Sequence, residues 1–407
     1  MRRSPAPTPG RPVPLRTSGS LPRRLALGLL PWLLAGCAHT TGPGYYWQSL
    51  RGHFALMGAA RPVADWLADA QTPPALRERL LLAQRARDFA VSALHLPDNR
   101  SYRRYADLQR SAALWNVVAA PVDSLTLHTW CFPVAGCVGY RGYFAEADAR
   151  AMAAQLQQQQ DLEVSVYGVP AYSTLGYLDW LGGDPLLSTF VQWPEGEFVR
   201  LLFHELAHQV VYAKNDTMFN ESFATAVERL GGAQWLRTQA SPAARAAFAT
   251  SEQRRSAFRA LTTATRERLG RIYAPKAGEV LSRKELLAMK SEAMQDFRAQ
   301  YVQLRARWLS APDAPPVALL SGYDHWVERA NNATFGAQAA YDAWVPAFEA
   351  LFHREQGDWL RFYDAVQQLA DQPAAQRHAA LCALAPTAPE EKPCVQHPHP
   401  TPPPARP

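Results

Sequence analysis

The chain has 407 residues, 33 of them proline, and its 42 Lys or Arg outnumber 36 Asp or Glu for a formal net charge of +6. That length admits one large domain or two ordinary ones with a real core. The basic excess lies wholly in residues 1–36, which carry six arginines and no Lys, Asp or Glu. The rest of the chain is nominally neutral, so a nucleic-acid partner is not expected.

Residues 1–36 read as a targeting segment rather than as part of the fold. A proline-rich basic stretch ends at Arg24, the apolar run Leu25–Leu34 follows, and Ala35-Gly36 precede Cys37. The run is about half the length that a bilayer-spanning helix needs. Small residues before a cysteine resemble the lipobox of bacterial lipoproteins, in which the cysteine is lipidated and becomes the mature N-terminus. The resemblance implies a lipid-membrane anchor at Cys37, and Ala38 after it implies an outer-membrane lipoprotein facing the periplasm. The alternative is an ordinary secretory signal in which Cys37 is incidental.

An exported chain meets an oxidising compartment, so the four further cysteines read as disulfides. Local pairing, Cys131 with Cys137 and Cys382 with Cys394, is expected among the three connectivities. A metal role fits less well, because the spacing is not that of a zinc knuckle and His128 and His397 complete no ligand pattern.

Helical spacing of apolar residues runs from Tyr45 to about Gln109, as in Leu76–Leu94, and breaks at Pro97-Asp98-Asn99. From Ala113 β-prone segments take over: Leu114–Val118, Leu125–Trp130, Leu162–Tyr167 and Ala171–Gly176. Helical periodicity returns near Glu197 and continues to about Ala380, with loops around Pro275 and from Pro312 to Pro316. The last 22 residues, from Pro386, hold nine prolines and read as a free tail. Helices, a small sheet, then many helices predict a mostly helical α+β body over residues 37–385, flanked by the leader (1–36) and the tail (386–407).

The sharpest signal is His204-Glu205-Leu206-Ala207-His208 within the apolar stretch Phe198–Tyr212. Two histidines four apart on a helix project from one face at a distance that one zinc ion can bridge, and Glu205 can reach a metal-bound water. Leu201, Leu202, Phe203, Leu206, Val210 and Val211 predict a buried helix, where two unpartnered histidines are costly. No Pro or Gly interrupts it. After the turn residues Lys214-Asn215-Asp216-Thr217, a second helix carries Asn220-Glu221 and Glu228, with Gly231-Gly232 reading as its C-terminus. A catalytic zinc takes three protein ligands. Glu221 is the expected third and Glu228 the rival, with a hydrogen bond to a liganding histidine as the better role for Glu228.

This pattern resembles the gluzincin metallopeptidases, in which His-Glu-x-x-His is followed by a helix bearing Asn-Glu. The separation between the two motifs is shorter here than in the thermolysin-like and classical aminopeptidase branches. Together with the lipobox, Cys131–Cys137, Tyr140–Phe144 and Asn220–Thr225, the chain resembles the predicted zinc aminopeptidase lipoproteins of Gram-negative bacteria over nearly all of its mature length. The resemblance implies a gluzincin-like core with a small sheet beside the zinc helix. It also implies a peptide substrate and Zn2+ held by His204, His208 and Glu221, with Glu205 as general base.

Other roles remain open at this level. An oxyanion donor is sought among Tyr323, Tyr341, His325, Tyr172 and Tyr177, none of them ranked. Val169–Tyr177 reads as an exposed strand that either binds extended substrate or packs in the core. The Gly-x-Met-Glu-Asn motif that holds a peptide amino terminus in the classical branch is absent, and Glu195, Glu197, Asp179 and Asp184 are unranked replacements. The alternatives to an aminopeptidase are an envelope metalloendopeptidase and a non-enzymatic lipoprotein with a structural zinc site.

Overall fold

A computed structural model describes residues 42–132, 136–158, 161–176, 179, 182–274 and 281–384. The leader with Cys37, Tyr177, Pro275 and the tail from Pro386, with Cys394, lie outside the described residues. Gly42–Trp47 belong to a unit spanning Met1–Trp47, and the remaining described residues to the unit Gln48–Pro407. The described residues are mostly helical with small sheets, the expected α+β class. Among them no helix is long and apolar enough to cross a membrane.

The opening helices are α1 (Pro43–Ala59), α2 (Val63–Ala68) and α3 (Pro74–Ser92). The helical expectation to Gln109 is too long. Helix α3 ends at Ser92, and the chain then forms loop and the short strand β2 (Arg104–Ala106), which lies between β1 (Arg61–Pro62) and β8 (Leu186–Leu187). Pro97 removes a backbone donor, and Arg87, buried on α3, instead donates to the carbonyls of Pro97 and Ser101, so that loop is tied down by a side chain.

The main sheet has the order β6 (Arg141–Tyr143), β3 (Leu114–Pro121), β7 (Leu162–Val169), all antiparallel. Its register runs from Leu114↔Val169 to Pro121↔Leu162. Strand β3 is buried from Trp115 to Ala120, as a central strand with both faces covered should be. Val118 and Ala120, two apart and so on one face, pack with Ala333 of α11 (Asn332–Asp342). Helix α4 (Glu146–Gln157) also packs on β3 and β7. That helix was not legible among the β-prone segments, although Glu146 and Asp148 in its first turn suit a helix N-terminus.

Two further strand expectations fail. Leu125–Trp130 is loop except at Trp130, which opens the hairpin β4 (Trp130–Phe132) to β5 (Gly136–Val138). The described part of the Val169–Tyr177 stretch, to Gly176, is not an exposed strand either, since β7 stops at Val169 and Pro170 has no donor to extend it. In the hairpin Cys131 sits opposite Cys137 and the two form the expected disulfide, with Cα atoms 3.9 Å apart. Cys382 is also disulfide-bonded.

The principal core lies among α3, α5 (Ser188–Val191), α6 (Glu195–Ala207), α7 (Thr217–Thr238) and α12 to α14 (Val345–Arg354, Trp359–Ala370, Ala374–Leu384). Phe203 of α6 stacks on Phe89, which meets Trp235 of α7 edge-on. A second cluster joins α8 (Pro242–Tyr273), α9 (Arg283–Ser310), α10 (Ser321–Glu328) and α11. Helix α7 runs through Gly231-Gly232 to Thr238, so these glycines do not end it.

Candidate metal centre

Helix α6 begins after Pro194, with Glu195 and Glu197 in its first turn, where their charge complements the helix dipole. Its regular hydrogen bonding stops at Ala207, and His208 is the C-cap, still in helical conformation at φ −59° and ψ −19°. The four-residue offset that puts both imidazoles on one face is therefore kept to the last residue that could keep it. The chain then turns through Asn215 at φ 66°, a left-handed conformation that Asn tolerates, and Asp216 caps α7 by accepting from the Phe219 amide at 3.1 Å.

Asn220 fixes this turn. Its side chain accepts from the Ala213 amide at 2.7 Å and donates to the Ala213 carbonyl at 2.8 Å, both bonds buried. The next residue, Glu221, is thereby aimed back at α6. Ser222 follows and donates to the Ala340 carbonyl at 3.0 Å, which seats the end of α11 and places the Tyr341 ring 6.1 Å from that of His204 in a near-parallel stack.

The result is a buried group of three donors, His204, His208 and Glu221, whose ligand atoms lie within 4.8 Å of one another. His204 Nε2 is 3.2 Å from His208 Nε2 and 3.3 Å from Glu221 Oε2, and His208 Nε2 is 3.6 Å from the same oxygen. Two imidazole nitrogens and a carboxylate oxygen converging in the interior could hold a metal ion, and N,N,O is a donor set that divalent zinc accepts. Glu228 is not one of the three. Its Oε2 accepts from His204 Nδ1 at 3.0 Å; because an ionised carboxylate can only accept, His204 carries a hydrogen on Nδ1, and Nε2 is the nitrogen turned toward the other donors.

The three groups also shift one another's proton affinities. Burial works against the charge on Glu221, but the imidazoles of His208 and His204 outweigh it and hold the carboxyl well below its usual range. Burial likewise pushes His204 down, and the bonds and charges of Glu221 and Glu228 overcome it, raising its pKa to about 10. Glu205 is partly buried, and burial raises its carboxyl above the ordinary value while His204 and His208 pull it back and Glu221 and Glu228 push it further up.

Tyrosines line the surroundings. Tyr341 keeps 37% of its surface accessible beside His204. Burial, followed by the charge of Glu221, raises the hydroxyl of Tyr140 well above its ordinary value, and the charge of Glu221 acts in the same direction on the more accessible Tyr341. Tyr167 of β7 is raised to about 12 by burial against a hydrogen bond with Asn116, and Glu221 adds to the rise. Tyr140 and Tyr167 were missed because nothing in their sequence spacing connects the sheet to the histidine helix.

The sequence candidates for an oxyanion donor separate clearly. Tyr341 is at the site, Tyr172 is tied to His53 Nδ1 at 2.9 Å, and Tyr323 packs with Phe258 and Trp308 in the second core cluster. His325 lies with Tyr323 on α10. Of the carboxylates proposed for a peptide amino terminus, Glu195 accepts from Trp235 at 2.8 Å, Glu197 pairs with Arg255 at 2.9 Å and Asp179 accepts from the Arg100 amide at 2.7 Å. Asp184, buried, accepts from Thr174 through its amide at 3.0 Å and its hydroxyl at 2.7 Å.

A model of the family described as "Putative aminopeptidase" matches residues 44–381. The chain belongs to that family. The match takes in α6 and α7 with all three donors, Glu205 and the tyrosine-bearing segments of the sheet and α11. No curated protein and no solved structure matches the chain. Membership of that family implies a peptide substrate, and the three donors could hold a metal ion within the matched residues.

Proposed function

We propose that the chain is a zinc-dependent aminopeptidase of the cell envelope, with His204, His208 and Glu221 holding the ion and Glu205 as general base. The observation that carries this reading is the convergence of three buried donor atoms within 4.8 Å, one residue from a carboxyl whose proton affinity is raised. Zinc, when bound, supplies a Lewis acid and lowers the pKa of water toward neutrality. Glu205 accepts the proton of the attacking water and returns it to the leaving amine, a role favoured by a carboxyl that holds protons more tightly than usual. Tyr341, accessible and stacked on His204, donates its hydroxyl hydrogen to the developing oxyanion. The same reading anchors the mature chain to the outer membrane through lipidated Cys37, which labelling with a radioactive fatty acid tests: label must enter wild type and not Cys37→Ala.

Paired peptides of one sequence, free and N-acetylated, test the central claim. Free peptides are expected to be cleaved and blocked ones spared. Glu205→Gln should retain the metal while turnover drops on the order of 10²- to 10⁴-fold. A metalloendopeptidase is the second reading, favoured by the engagement of Glu195, Glu197 and Asp179 with other partners. Cleavage that persists after acetylation selects it.

A further inference from the structure

Behind the donor group, α6, α7 and α8 exchange a chain of buried or half-buried charges that metal ligation does not itself use. Arg200 stands one turn before His204 on α6. Its Nε, at 3.0 Å, and Nη2 both donate to Oε1 of Glu228, the carboxylate whose other oxygen holds His204 Nδ1. Its Nη1 donates to Glu252 Oε2 on α8 at 2.8 Å. Glu252 in turn accepts from Arg255 at 3.0 Å and from Arg259, and Arg255 reaches back to Glu197 at the start of α6 at 2.9 Å. The Arg200 and Glu228 side chains are only 11% and 19% exposed, so this is not a loose surface pair.

The packing is arranged around Arg200. A Cβ on Gly232 of α7 would lie 2.6 Å from Arg200 Cγ and 3.3 Å from its Cδ, so only glycine lets the arginine cross that helix. Glycine inside a helix costs about 1 kcal/mol relative to alanine. The guanidinium also lies 5.6 Å from the centre of the Phe248 ring on α8.

We propose that Arg200 is a positioning residue for the metal centre, fixing the Glu228 carboxylate so that it holds the His204 ring and its Nδ1–H tautomer, with Glu252 of α8 bracing the guanidinium from behind. Glu228 has two oxygens and a side chain with three rotatable bonds; bonded only to His204 it could rotate, and His204 with it. Two donations from Arg200 to a single oxygen leave the other directed at Nδ1. Outer partners of this kind commonly change metal affinity 10- to 100-fold.

The inference rests on the proposed metal site, and one experiment separates the two. Metal-free wild type, Arg200→Met, Arg200→Lys, Glu228→Gln and the Arg200→Met/Glu228→Gln double variant are titrated with Zn2+ against a chromogenic chelator. Wild type is expected to bind. Arg200→Met should bind about 10- to 100-fold more weakly and Arg200→Lys should recover part of the loss. The double variant should lose no more than Glu228→Gln alone, because Arg200 acts only through Glu228. Unchanged binding by Arg200→Met, or additive losses in the double variant, overturns the role of Arg200; absence of zinc binding by wild type overturns the metal site and this role with it. Should Arg200→Met not fold, Arg200→Lys and Glu252→Gln decide: both are expected to weaken binding measurably, and two wild-type affinities overturn the proposal.

Discussion

Asn220, Glu221 and Ser222 are consecutive, yet each holds a different neighbour: the Ala213 backbone, the two histidines, and the Ala340 carbonyl. Removing Asn220 leaves the buried Ala213 amide without a partner, and its carbonyl keeps only the Asp216 amide at 3.3 Å; a stranded group of that kind costs about 1–3 kcal/mol. Asn220→Ala is therefore expected to lose about 1–3 kcal/mol in urea unfolding and to weaken metal binding by loosening the turn that aims Glu221. A loss under 1 kcal/mol would show that water replaces the clamp. At this scale spacing on one helix was enough to expect that His204 and His208 share a face, and the turn folds Glu221 back to them, so the three expected donors do come together. It was silent about Asn220 as a clamp and about Tyr140 and Tyr167, because those roles depend on how distant segments meet.

Between elements, the α6–α7 crossing decides what each glycine does. Gly231-Gly232 reads as a helix end because glycine is the usual C-terminal residue, but here the pair serves close approach: a Cβ at 231 would lie 2.7 Å from Leu94 Cδ1, and at 232 it would meet Arg200. Gly232→Ala, which normally gains about 1 kcal/mol in a helix interior, should instead destabilise, because the Arg200 stem must move. Thermal unfolding reads the sign. The start of α7 is tied to α14 through Asp216, which accepts from His378 at 2.7 Å and pairs with Arg377 at 3.0 Å. Burial raises the Asp216 carboxyl, but His378, the Phe219 amide and Arg377 outweigh it, and the net shift is downward. A depressed carboxylate contributes stability above its unfolded pKa, near 3.8, and that contribution is lost as pH falls through the still lower folded value. Asp216→Asn should thus be less stable than wild type at pH 7, with the gap narrowing below about pH 4 in urea midpoints measured at each pH.

For the molecule as a whole, the candidate metal centre joins segments that are distant in the sequence. Helices α6 and α7 carry the donors, α11 brings Tyr341 from beside the sheet, and α8 lies behind Arg200. The order of helical and β-prone stretches sufficed for the class, whereas the strand boundaries and α4 were obscured because short apolar runs fit helix and strand alike. On the proposed function, occupancy of this centre is coupled to global stability, since a ligand bound only by the folded chain adds about 4 kcal/mol at a thousandfold excess over Kd. Chelation should lower the Tm and added Zn2+ restore it. The size of that shift must depend on pH, because Glu221 and Glu228 hold a proton on metal-free His204 up to a pKa of about 10, and the ion has to displace it. One displaced proton makes the apparent affinity fall about tenfold for each pH unit below that value, or about 1.4 kcal/mol of the zinc-dependent stabilisation. The zinc-induced rise in Tm should accordingly shrink from pH 8 to pH 6 at fixed free zinc. An equal rise at both values would mean that metal-free His204 holds no displaceable proton in this range.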